Sequence, residues 1–173
     1  MDVEVGETRG SLAIAVRTLT RQDKPWAARL ERLAWGGYGV ARKGELLDLR
    51  AFPGLVALAE GEPCGLARYA IRGADCELVS IQSEREGLGV GRALLAAVRQ
   101  AATEAGCRRL WLITTNDNTR ALRFYQRAGF DIVALHRDAV TQARRDLKPA
   151  IPLRGADGIR LRHELVLELL LDG

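Results

Sequence analysis

The chain has 173 residues, 47% of them hydrophobic and 28% charged, the length and balance of one globular domain. That balance excludes a fibrous repeat or a disordered tail, and no apolar run approaches the roughly 18 residues of a membrane span. The net charge is +4 and nearly all of the positive charge is arginine, lysine occurring only at Lys24, Lys43 and Lys148; nucleic acid, acidic lipid and a phosphorylated small molecule stay open as partners, beside plain compositional bias.

Residues 1–11 are polar and aperiodic, which predicts a loose leader ahead of a domain over 12–171. Alternation predicts a strand from Ala13 to Leu19, with Ile14 and Val16 on one face. Thr20 to Asp23 precede Pro25, a helix-start arrangement. The helix runs through Trp26, Leu30 and Leu33 and stops at Gly36-Gly37. The segment from Gly36 to Pro53 shows no clear pattern beyond a short helical turn at Leu46 to Leu49. Apolar runs at Leu55 to Ala59 and Gly65 to Ile71 flank Glu60-Gly61-Glu62-Pro63, a hairpin composition. A second turn, Arg72 to Asp75, leads into a strand over Cys76 to Ser83. Turns this short make the three strands antiparallel.

A helix follows from Val90 to Ala105, with Leu94, Val98 and Ala101 on one face and Gly106 as its cap. Arg109 to Thr115 reads as a strand, so strand, helix and strand imply a parallel pair with a crossover. Asn118 caps a helix containing Ala121, Leu122 and Tyr125, closed by Gly129. Phe130 to Leu135 is a strand, Asp138 to Lys148 a helix, and Arg162 to Leu170 a final strand. Cys64, Cys76 and Cys107 have no metal or redox spacing, which predicts reduced thiols in a cytoplasmic protein and no metal site.

The segment Glu84-Arg85-Glu86-Gly87-Leu88-Gly89-Val90-Gly91-Arg92 joins a strand to a helix. Glycines let the backbone turn sharply there, and the free N–H groups of a helix start attract phosphate. On spacing alone a structural turn is equally open. A nucleotide P-loop is excluded because Gly91 is followed by Arg92-Ala93 rather than Lys-Ser/Thr. A dinucleotide fingerprint is excluded because its third glycine falls on Arg92 or Leu94.

The turn resembles the phosphate loop of the GNAT acetyltransferases: Arg or Gln, two residues, Gly, one residue, Gly or Ala. Gly89 and Gly91 fill the glycine positions and Gly87 a further common one. Glu86 departs from the pattern and is expected to point outward, with Arg85 or Arg92 supplying charge. Downstream, Asn118-Thr119-Arg120-Ala121-Leu122-Arg123-Phe124-Tyr125, followed by Gly129-Phe130, matches the family's second motif. The resemblance covers about residues 12–171 and implies an α/β (α+β) single-domain fold, with a mixed sheet of about six to seven strands flanked by helices.

The resemblance further implies an N-acetyltransferase moving acetyl from acetyl-CoA to a primary amine. The backbone around Val79 and Ile81 would pair with the pantetheine arm. Glu86, Gly87, Leu88, Gly89, Val90, Gly91 and Arg92 would hold the pyrophosphate, and Asn118 would contact the cofactor. Tyr125, taken as lying near a helix start, would serve the leaving sulfur. Glu77 is the candidate base, with alternation placing it beside Asp75, Val79 and Ile81. Asp75, His136, Asp117 and water are the alternatives. Trp35 to Glu45 and His136 to Gly158 are the segments expected to read the acceptor. Arg137, Arg144, Arg145 and Lys148 there either bind a carboxylate or form a solvated face. A small-molecule amine is the expected acceptor, with neither nucleic acid nor membrane as partner; a homodimer is left open. The rival readings are a protein N-terminus or lysine as acceptor, and a relative that binds acyl-CoA without catalysis.

Overall fold

Two-residue turns fold the first half of the chain back on itself. In the computed structural model, which describes residues 13–37, 39–155 and 157–171, Glu60 and Gly61 both take positive φ, 53° and 83°. That geometry matches the twist of paired strands, and it returns β4 (Gly54–Ala59) as β5 (Glu62–Arg72). Gly73, at φ 60°, turns β5 into β6 (Asp75–Ser83). The leader expected over 1–11 lies outside the described residues.

β1 (Ile14–Thr18) pairs antiparallel with β4, and a 3-10 turn at Arg21–Asp23 leads into α1 (Lys24–Trp35). The Asp23 carboxylate accepts from the Thr20 backbone N–H and from Arg17, both at 2.7 Å. The Arg17 guanidinium holds this carboxyl well below the usual carboxylate range. On α1, Ala27, Leu30 and Glu31 are buried, whereas Leu33 is 78% exposed. Of the predicted stripe, Trp26 and Leu30 pack on the sheet and only Leu33 turns out; Glu31 is buried beside them through an ion pair with Arg68 at 2.7 Å.

The patternless segment is a hairpin, not a helical turn. β2 (Gly39–Arg42) and β3 (Glu45–Asp48) pair through Lys43 and Gly44, at φ 47° and 73°. A 3-10 turn at Leu49–Ala51 follows, opened by the Asp48 carboxylate accepting from the Arg50 N–H at 2.9 Å. Four-residue strands are too short to show alternation, and lysine is not an expected turn residue.

The rest follows α2 (Val90–Glu104), β7 (Arg109–Thr115), α3 (Thr119–Arg127), β8 (Asp131–His136), α4 (Ala139–Asp146) and β9 (Glu164–Leu170). The seven-stranded sheet has the order β1-β4-β5-β6-β7-β9-β8. Every pairing is antiparallel except β6 with β7, the pair joined through α2. On one face, Val90, Leu94, Val98 and Ala102 of α2 pack on Ala57, Ala67, Cys76 and Leu78, with Tyr125 of α3 in the same cluster. Burying each such leucine or valine contributes roughly 2 kcal/mol. On the other face, Ala27 and Leu30 of α1 pack on Val56 and Leu66, and Val40 with Leu49 packs on Val79.

Candidate active site

A bulge in β6 builds the site. Arg68 pairs with Ser80 and Tyr69 with Leu78, so Val79 opposes no residue of β5. An extra residue bends its strand and resets the alternation. β6 pairs with β7 only from Asp75 to Leu78, while β7 continues with β9 to Thr115. The sheet splits at Val79, and the β7-facing backbone edge from Val79 to Ser83 is left without a strand partner. Buried polar atoms accompany the split: Ser80 Oγ and both side-chain atoms of Gln82 have no partner among the described residues.

The bulge also overturns the predicted common face. Val79 packs with Val40 and Leu49 on one side. Ile81 packs against the opposite cluster, which contains Leu94 and Tyr125.

Beside the split, the glycine turn opens α2. Gly87 and Gly89 both have φ 78° with open space where a Cβ would stand. Only glycine takes that conformation at little cost. The first backbone bond beyond the turn runs from the Ala93 N–H to the Gly89 carbonyl at 2.9 Å. The N–H groups before it have no helical acceptor and point their positive ends at the turn. Gly91 brings α2 close to α3: a Cβ there would lie 3.6 Å from the Phe124 ring.

These parts share one cleft of about 450 Å³. Its wall includes Ile81, Glu86, Gly87, Gly89, Val90, Gly91, Arg92 and Asn118, most of the residues predicted to hold the cofactor, together with Tyr125 and with Gln82, which the sequence did not single out. Leu88, Val79 and Glu77 are not on that wall. Glu86 is exposed and accepts from Arg120 of α3 at 2.6 Å, a partner the sequence did not suggest. The two side chains bridge the cleft mouth. Asn118 Oδ1 accepts from the Ala121 N–H at 3.1 Å and so caps α3.

Tyr125 lies in the last turn of α3, not near its start. No dipole argument therefore applies from its own helix. Its ring sits edge-on between Phe124 and Phe130, centroids 5.1 and 5.5 Å away. Burial pushes the phenol well above its ordinary value, so it is a protonated donor at neutral pH.

Glu77 is buried on the opposite face, with Arg42 Nη2 at 2.5 Å. Burial pushes its carboxyl up, against the pull of Arg42, Arg72 and Lys43. Arg42 is itself buried and its Nε has no partner among the described residues. Trp111, the β7 partner of Glu77, lies under Arg42, Lys43 and Arg109, with cations 4.8 to 5.6 Å from the ring. Nothing in the sequence linked Arg42 to Glu77, because the contact depends on where the hairpin docks. Of the other candidate bases, Asp75 is 3.6 Å from Arg109, and Asp117 accepts from the Thr115 hydroxyl at 2.5 Å. His136 lines a separate hollow with Lys43, Asp146 and Glu164.

The segments predicted to read an acceptor form a second hollow near the split. Trp35, Val40, Thr115, Val140, Lys148 and Ile151 line it. Most of the predicted cations there are engaged with the chain itself. Arg144 donates to the carbonyls of Ile151, Pro152 and Leu161 at 2.7 to 2.8 Å. Lys148 donates to those of Trp35 and Gly39 at 2.5 and 2.7 Å, and burial lowers its pKa. Arg145 pairs with Asp146 at 2.6 Å.

The β6–β7 pair thus splits beside a glycine-opened helix, with Tyr125 on the wall of the same cleft. The chain belongs to the acetyltransferase (GNAT) family, whose model matches residues 17–130. It is similar to the uncharacterised protein YdhI of Bacillus subtilis (strain 168), with 40% identity over 139 residues, 80% of this chain and 86% of that one. Streptothricin acetyltransferase of Streptomyces lavendulae is 31% identical over 97 residues, 54% of this chain and 50% of that one. A GNAT family acetyltransferase from Elizabethkingia anophelis, solved with acetyl-CoA bound, has the same fold: TM-score 0.72 and 20% identity over 91% of this chain and 98% of that one.

Proposed function

We propose that this chain is an N-acetyltransferase that moves the acetyl group of acetyl-CoA onto a primary amine of a small molecule, by direct transfer with both substrates bound. The observation that carries this reading is the single cleft shared by the glycine turn, the unpaired edge of β6 and Tyr125. The residues present fit acetyl-CoA: free N–H groups for a pyrophosphate, a strand edge for an amide-bearing arm, and unpartnered Ser80 and Gln82 along that edge. When bound, acetyl-CoA supplies an acetyl carbonyl activated as a thioester.

The chain's own residues would divide the work. A backbone N–H between Val79 and Ile81 polarises the carbonyl; such a fixed donor is worth ~3 kcal/mol in the transition state. Glu77 takes the amine proton through water as the C–N bond forms. Tyr125 donates its O–H to the sulfur as the C–S bond breaks, so the thiol leaves neutral. The hollow at Trp35, Val40 and Lys148 takes the acceptor, since Val40 packs on the bulge residue Val79. Similarity to streptothricin acetyltransferase supports a small-molecule amine over a protein. A cytoplasmic setting fits the three free, buried thiols.

Release of CoA thiol from acetyl-CoA, measured across a panel of amines, tests the reading. The expected outcome is amine-dependent release, with Tyr125→Phe lowering kcat by about 10²-fold while acetyl-CoA affinity stays near wild type. Tight acetyl-CoA binding without release for any amine would favour the non-catalytic relative.

A further inference from the structure

The hollow between α1, the β2–β3 hairpin and α4 is walled for apolar contact rather than for charge. Trp35, Val40, Val140, Ile151, Pro152 and Leu161 line about 390 Å³, near the lower end of the range for small-molecule pockets. Among the described residues that wall carries no carboxylate, and its one charged group is Lys148. The buried Glu77 and Glu164, which the hairpin contacts, do not line it. Glu77 pairs with Arg42, and Glu164 accepts from the Lys43 backbone N–H at 3.2 Å.

Lys148 fixes the shape of this hollow. Its Nζ donates to the carbonyls of Trp35 and Gly39 at 2.5 and 2.7 Å, tying the segment after α4 to the end of α1 and the start of β2. A ligand ammonium drawn to those carbonyls would lie against a like charge. Anywhere else on the wall it would be buried without a counter-charge, which is costly. The reacting amine escapes that cost, because it gives up its proton through water toward Glu77. A second alkyl amine, with a reference pKa near ~10.4, enters charged and stays charged. Trp35 is 36% exposed and offers a flat aromatic surface at the helix end.

Resting on the N-acetyltransferase reading above, we infer that the acceptor is an aryl-alkyl monoamine, with one primary amine on an apolar body, and that amines carrying a second ammonium are excluded. Trp35 is the platform for the aromatic end. Lys148 is a positioning residue that holds the wall together and repels a second cation.

The test measures thiol release from acetyl-CoA with phenethylamine, hexylamine and hexamethylenediamine. The last two match in chain length and differ by one ammonium. In wild type, kcat/KM for hexylamine is expected to exceed that for the diamine by at least about 100-fold, the scale of one unpaired buried charge. Phenethylamine is expected to exceed hexylamine. Trp35→Ala should lower kcat/KM for phenethylamine about tenfold more than for hexylamine. Ile151→Glu, which puts a carboxylate on the wall, should narrow the gap between hexylamine and the diamine by about tenfold. Melting temperatures without ligand check that both variants fold, and the wild-type comparison decides the charge claim without them. A diamine used as well as hexylamine overturns the monoamine class and leaves the N-acetyltransferase reading standing. An equal loss for phenethylamine and hexylamine in Trp35→Ala overturns the aromatic platform. Acetyl-CoA binding with no thiol release for any amine overturns both the enzymatic reading and the acceptor class.

Discussion

At the scale of the residue, the buried Arg42–Glu77 pair shows how one side chain's chemistry is set by another that is distant in sequence. A carboxylate this deep is costly to charge, and Arg42 lowers that cost at 2.5 Å. The carboxyl is already pushed up by burial, against Arg42's pull. In Arg42→Met the pull is gone and the folded-state pKa of Glu77 rises further. A raised carboxyl disfavours folding only above its unfolded value near ~4.5, because only there must the buried group give up a proton the unfolded state has already lost. Thermal melts of Arg42→Met should therefore lie close to wild type at about pH 4 and fall progressively below it as pH rises to about 8. A constant gap across that range would mean the pair is not electrostatically coupled. Glu86 makes a related point. It breaks the family pattern, yet Arg120 neutralises it at the cleft mouth without the turn losing its free N–H groups.

At the scale of the element, the start of α2 is positioned as much by β5 as by its own glycines. Gly65 lets the sheet approach so closely that an added Cβ would overlap Val90 and lie 3.1 Å from both Leu94 Cδ1 and the Gln82 carbonyl. Val90 is the first residue of α2 and stands on the cleft wall. Gly65→Ala should cost about 1–3 kcal/mol by overpacking and lower Tm by roughly 3–10 °C. A melting curve checks this, and an unchanged Tm would show that the helix can slide outward freely. The β6 bulge is the other decisive element-scale feature. It turns Val79 toward the hairpin and Ile81 toward α2, so that one strand serves both faces of the sheet.

At the scale of the whole molecule, the split sheet separates the glycine-turn cleft, walled by α2 and α3, from a hollow lined by α1, the β2–β3 hairpin and α4. The core that joins them holds Cys64, Cys76 and Cys107, all free and buried. Burial raises each thiol, that of Cys76 to about 12. Only thiolate attacks a disulfide reagent. The native protein should thus react negligibly with a chromogenic disulfide at pH 7.5, and titrate three thiols once unfolded. Rapid native reaction would show that the core opens locally. The same inertness leaves released CoA thiol readable in the activity assay.

What the sequence determined by itself is local in origin. The antiparallel run β4-β5-β6, the crossover through α2, the glycine turn and the Asn118 cap all follow from turn chemistry, periodicity and contiguous motifs, which act over a few residues. The two contiguous motifs also carried the family. What the tertiary structure alone decided depends on how distant segments dock. The hairpin at Gly39–Asp48 has strands too short to show a period, and its placement over β6 brings Arg42 to Glu77. The bulge at Val79 is a mismatch between two strands, so neither strand's pattern reveals it. Tyr125 reaches the cleft because α3 packs across Gly91, not because of its place in its own helix. Local rules shape each element; only the packed sheet, with one residue too many in β6, opens the site.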